Sequence, residues 1–278
     1  MCIVFAFCCF SKFYMLLSQI NFMLYFNVER LRTKYVELKN KECKDVASGS
    51  IWDILRQECD RDKKMFGLLL ARFLDRGMKS DKASKILLDF YKAELLDIHR
   101  MKSDIKSGEN SKTFRILSDN KVSRKFGEQS QDVYDIFKEL VKLIDYLFDR
   151  YKGDLDILYK SILAESKKVD VSIREKYIVY SLLLELSSLP GFGEKQASLL
   201  LRELADSGVW NVNKEFVPIS IDRHVRRFFE NLFDDTGFPK KPQDWQILLL
   251  AELMAIVNGT NVADLDYLIW CTQRARKT

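Results

Sequence analysis

The residues best suited to chemistry lie in one short run, Leu189-Pro190-Gly191-Phe192-Gly193, followed at once by Glu194 and Lys195. Pro190 lacks an amide proton and crowds the chain before it, so it stops a helix that arrives from Ile178 to Ser187. Gly191 and Gly193 permit positive φ and let backbone come close to another molecule. The amides of the turn, and of the first turn of the helix that restarts at Glu194, then lack intrahelical acceptors. Such amides suit an anion, and a phosphate in particular. Contacts of that kind hold a nucleic-acid backbone without reading its bases. The plain alternative is an ordinary tight corner between two helices. Arg202 on the second helix, and Arg223, Arg226 and Arg227 further on, are expected to grip phosphates as well. Against this stands the plain reading of a solvated charged face.

These residues need helices on both sides, and the chain supplies them. Few breakers (11 Gly, 4 Pro) and 47% apolar residues predict an almost all-helical protein with a sizeable core. Helices are expected over 51–59, 64–75, 80–99, 132–151, 154–165, 174–187, 194–205 and 223–233. The helix over 64–75 is apolar nearly all round and therefore central. Residues 102–126 are polar and read as a loop region holding at most one helix. No stretch alternates convincingly as a strand. Asp222 stands where it can cap the helix that begins at Arg223.

The formal net charge of +5 is compatible with a polyanionic partner without demanding one. Six cysteines include no C-x-x-C pair, and only Cys271 lies in the C-terminal half. A four-cysteine zinc or iron–sulfur site near the C-terminus is excluded on that count. Residues 1–27 are hydrophobic and interrupted by Lys12, Gln19 and Asn21. They read as a packing helix or a stretch upstream of a start at Met23, with a weak membrane span or signal-like segment as the alternative.

Leu189-Pro-Gly-Phe-Gly-Glu-Lys195-Gln-Ala197, together with Pro218-Ile-Ser-Ile-Asp222-Arg-His-Val225, resembles the helix-hairpin-helix–GPD superfamily of DNA glycosylases. A weaker echo lies upstream, from Phe66-Gly-Leu-Leu-Leu-Ala71 to Ser80-Asp-Lys-Ala83. There Asp75-Arg-Gly-Met-Lys79 replaces the Gln or Asn usual in the family's turn, so the DNA-wedging residue is not identified. Lys195 stands at the position of the lysine of bifunctional members, and Asp222 at that of the catalytic aspartate. The C-terminal Asp264-Leu-Asp266-Tyr-Leu-Ile-Trp270 resembles the end of compact archaeal-type 8-oxoguanine glycosylases, where such an Asp and Trp line the base pocket. Spacing puts Asp266 and Trp270 on one helix face. The plain alternative makes Trp270 a core residue and Asp266 a helix cap. His224 reads as structural or phosphate-near.

The resemblance implies an all-α fold of two helical lobes with a helix-hairpin-helix and a DNA cleft. One lobe is expected over 60–215, carrying the hairpin at 178–205, and the other over 28–59 plus 216–278. It implies a monomer acting on double-stranded DNA with a damaged base. No protein partner, metal or organic cofactor is required, and the setting is cytoplasmic if the source is a prokaryote. The activity implied is excision of an oxidised purine, 8-oxoguanine first, with strand cleavage through a Lys195 Schiff base. The alternatives are a glycosylase for another damaged or mismatched base, and a non-catalytic DNA-binding scaffold.

Overall fold

A computed structural model describes residues 28–40, 55, 58–78, 80–126, 129–234 and 241–275. The hydrophobic segment 1–27, most of the helix expected over 51–59, and Arg276 and Lys277 lie outside the described residues. The described chain is mostly helical. Contacts divide it into two units. One holds α1 (Val28–Asn40) with everything described from Ile221 onward, and the other runs through Ser220.

The larger unit is built on α2 (Arg61–Asp75). Asp60 caps it, its carboxylate accepting from the amides of Asp62 and Lys63. Phe66, Leu69, Leu70, Phe73 and Leu74 are all buried, so this helix has core on every side, as its composition predicts. Full burial of each such side chain stabilises by about 1.5–3 kcal/mol.

The single helix expected over 80–99 is two. α3 (Ser80–Lys92) stops, and Glu94 turns the chain in the left-handed region with φ 61°. The turn carries Leu95 and Leu96 into the core, and the Asp97 carboxylate then caps α4 (Ile98–Ile105) through the Arg100 amide.

The polar stretch expected to be loop is structured. Asp104 accepts from the amides of Lys112 and Thr113, and Ser111 from that of Phe114, which starts α5 (Lys112–Asp119). Strands β1 (Arg124–Phe126) and β2 (Gln129–Gln131) follow, pairing antiparallel with Arg124 opposite Gln131. Three residues are too few for a period of two to show in a sequence.

α6 (Val133–Tyr151) opens on a reciprocal capping box between Asp132 and Asp135. α7 (Leu155–Ser166), α8 (Arg174–Ser187) and α9 (Glu194–Asp206) complete the unit, with α9 packed on α8 and on α2. The unit runs beyond the expected limit at 215. Val217 and Ile219 are buried in it, and the Pro218 carbonyl between them accepts from Ser198 Oγ at 2.9 Å and Arg202 Nη2 at 2.8 Å. Leu55, placed by the sequence reading in the other lobe, belongs to this core.

The second unit joins α1 to α10 (Arg223–Asp234), α11 (Asp244–Val257) and α12 (Val262–Ala275). α1 packs on α11 and α12, and α12 on α10. No single described helix is long and apolar enough to cross a membrane.

Candidate functional site

The run from Leu189 to Gly193 forms a tight turn between α8 and α9. The Leu189 carbonyl accepts the Phe192 amide at 2.9 Å, with Pro190 and Gly191 in the corner positions and Gly191 at φ +80°. This is the type II turn that proline followed by glycine favours. Leu189 is buried beneath it, and Phe192 is half-buried against the same core. A β-carbon on Gly191 would lie 2.8 Å from Phe73 Cε2 and 3.3 Å from Glu139 Cδ. Left-handed backbone and lack of room both call for glycine here.

Gly193 does not use the positive φ that a glycine permits. Its backbone is extended, φ −153° and ψ −179°, and a β-carbon would meet nothing within 4 Å. It is the N-cap of α9, its carbonyl accepting the Ala197 amide at 3.0 Å. Having no side chain, it contributes no side-chain hydrogen bond to the first turn. The two glycines should therefore respond differently to alanine. Gly191→Ala is expected to lower stability by about 1–3 kcal/mol from backbone strain alone. Gly193→Ala should cost less than about 1 kcal/mol. Thermal unfolding of the two variants measures the contrast, and equal losses would contradict this description of the turn.

Lys195 occupies the second position of α9, and its side chain is exposed. The helix beneath it is held at two places. Arg72 of α2 grips Glu203 with both prongs of its guanidinium, one of them at 2.7 Å, and also reaches Asp75 at 3.1 Å. Ser198 and Arg202 hold the Pro218 carbonyl. Arg202, expected at a phosphate, is 6% exposed, and its Nη2 donates to the Pro218 carbonyl.

Asp222, Arg223, Arg226 and Asp266 belong to the second unit. Asp222 is the N-cap of α10. Its Oδ1 accepts from the amides of His224 at 2.7 Å and Val225 at 3.0 Å, and its carbonyl accepts that of Arg226. Arg223 and Arg227 are exposed, and Arg223 Nε lies 3.4 Å from His224 Nε2. Arg226 pairs with Asp244 at the start of α11, so it already has an anionic partner. Asp266 is not the cap of α12. Asn261 takes that role, accepting the Asp264 amide at 2.9 Å, while Asp266 is 7% exposed within the helix. The Trp270 side chain lies outside the described residues, so the pairing expected with Asp266 is not among the contacts.

Four residues lie beneath the turn: Phe73, read from the sequence as core, Arg76, part of the run Asp75-Arg-Gly-Met-Lys79, and Arg124 and Glu139, which the sequence did not single out. The Glu139 carboxylate takes Arg76 Nη1 at 2.7 Å on one oxygen and Arg124 Nη1 at 2.6 Å on the other. Arg124 is fully buried, its guanidinium 4.3 Å from the Phe73 ring centre and bonded to the Phe73 carbonyl. Burial pushes it down to about 10, with Glu139 opposing the shift, so it keeps its charge at neutral pH. No local motif marks these residues as a group, and they come from three places in the chain: the end of α2, β1 and α6.

Among the described residues no group of three or more His, Cys, Asp or Glu is placed to hold a metal ion. No family model matches the sequence, no curated protein matches it, and no solved structure matches its fold.

Proposed function

We propose that the protein is a DNA glycosylase with abasic-site lyase activity, acting on an oxidised purine, 8-oxoguanine first. The observation that carries this reading is the turn. An exposed lysine follows a type II Pro-Gly turn by a few residues, in the first turn of a helix whose N-cap residue has no side chain. In a helix-hairpin-helix, such a turn offers its amides to a phosphate and brings the lysine to the same strand.

The chemistry follows from the residue types. An enzyme that acts on a base inside a duplex first turns the nucleotide out of the stack. The neutral Lys195 amine then attacks C1′, the bond to the base breaks, and the base departs with its electron pair and takes up a proton. The nitrogen loses its extra proton, and its lone pair then expels O4′, which takes up a proton as the sugar ring opens to a protonated Schiff base. Removal of a C2′ proton then expels the 3′ phosphate, and water releases Lys195. Asp222 offsets the positive charge growing at the sugar or carries the amine proton. Its N-cap bonds use Oδ1, which fixes the direction of the carboxylate without neutralising it. Asp266 would bond a purine N–H and Trp270 stack on the ring. Arg223 and Arg227 would meet phosphates.

The rival reading, a non-catalytic DNA-binding scaffold, draws support from that same cap. An N-cap explains an aspartate at 222 without any chemistry. Strand cleavage separates the two. The protein should cleave a duplex carrying one 8-oxoguanine, and one carrying a preformed abasic site, and leave the undamaged duplex whole. Tight binding with no cleavage of any duplex in a panel of single defined lesions would leave the scaffold reading.

A further inference from the structure

We propose that Arg124 is a positioning residue for the turn, holding the two side chains against which Gly191 rests. The proposal depends on reading that turn as the phosphate-binding element. Phe73 and Glu139 supply the nearest atoms to a β-carbon at Gly191. Arg124 engages both. It lies over the Phe73 ring at 4.3 Å, donates to the Phe73 carbonyl, and pairs with Glu139 at 2.6 Å. A planar guanidinium can stack and donate in two directions at once, which an ammonium cannot. Its strand is itself tied down, because the Lys125 amide donates to the Gly77 carbonyl just past the end of α2. The short β-hairpin therefore brings a cation under the turn from a separate part of the chain.

Packing alone is a poor reason for this arrangement. Arg124 is fully buried, and its Nε has no hydrogen-bond partner among the described residues. Buried polar groups are nearly always satisfied, and one that is not calls for an explanation. An apolar side chain would fill the space without that penalty, but it could not hold Glu139. Glu139 is a carboxylate close to the backbone that is to meet an anion. Arg124 and Arg76 both pair with it, so its negative charge is offset beneath Gly191. Arg124 touches no phosphate in this scheme. It sets where the turn's amides stand.

The test measures binding of undamaged duplex DNA over a range of salt, with circular dichroism confirming that each variant is folded. The proteins are wild type, Arg124→Met, Gly191→Ala and the double variant. A hydrogen bond to a charged group is worth about one to two orders of magnitude in affinity, so Arg124→Met, by displacing the turn's amides, should weaken binding by about ten- to a hundredfold. The slope of log affinity against log salt should not change, since that slope counts neutralised phosphates and none is lost. In the Gly191→Ala background, where the turn has already shifted, Arg124→Met should add less than about twofold. If Arg124→Met does not fold, Arg124→Lys is read the same way, because it keeps charge beside Glu139 but cannot also serve Phe73. A slope lower by about one would make Arg124 a direct phosphate contact and overturn the proposal. Full affinity in a folded Arg124 variant, or losses that multiply in the double variant, would overturn it too. A wild-type protein without affinity for duplex DNA overturns the phosphate reading and this inference with it. Binding by wild type with independent losses overturns this inference alone.

Discussion

Borohydride added to the protein with a lesion-bearing duplex is expected to give a covalent protein–DNA species, and Lys195→Gln to give none. The reduction converts a Schiff base, which reverses in water, into a stable amine. Only a primary amine forms that imine, and glutamine keeps length and polarity without nucleophilicity. Lys195 is exposed on the second residue of α9, so its replacement should leave the fold intact. Affinity for duplex should fall only slightly, because the turn's amides remain. The effect is therefore close to all-or-none in trapping and small in binding. Trapping that survives in Lys195→Gln would move the nucleophile to another lysine. No trapping by wild type with any lesion would remove the lyase assignment.

Asp222→Asn should produce the second large effect, a loss of about 10²–10³ in single-turnover excision, the usual size for one electrostatic stabiliser. The N-cap makes the comparison clean. Asparagine caps helices about as well as aspartate, so the bonds to His224 and Val225 can persist and stability should change little. Asp222→Ala loses the cap as well and should destabilise by a further ~1 kcal/mol. If Asp222 serves only as a cap, the asparagine variant will excise like wild type and only the alanine variant will unfold more readily. If it serves the chemistry, the two variants will be similarly slow.

Most helices were legible because their signals are local. The apolar run of α2, the caps at Asp132 and Asp154, and the proline at 190 each act within a few residues. Misses occurred where distant parts of the chain decided the outcome. The break between α3 and α4 depends on burying Leu95 and Leu96. The β-hairpin depends on Arg124 meeting a carboxylate that α6 supplies. Arg202 illustrates the same limit. An arginine on the helix after a phosphate-binding turn is a reasonable ligand by position. Only the fold shows that its Nη2 donates to the Pro218 carbonyl. The two glycines of the motif look alike in sequence but serve different ends, Gly191 for conformation and Gly193 for the absence of a side chain.

The discontinuous second unit has a consequence for synthesis on the ribosome. α1 emerges long before α11 and α12, the helices that cover it. Roughly 200 residues separate α1 from α11, which is about 10–40 s of translation at ordinary rates. For that interval α1 has no partner, and an isolated helix of 13 residues is barely stable in water. Its sequence suits the wait. Only Leu31 and Leu38 are buried in the finished unit, and most of the rest is charged or polar. α1 itself thus adds little apolar surface during the wait, while α2 to α9 can collapse around their own core in the meantime.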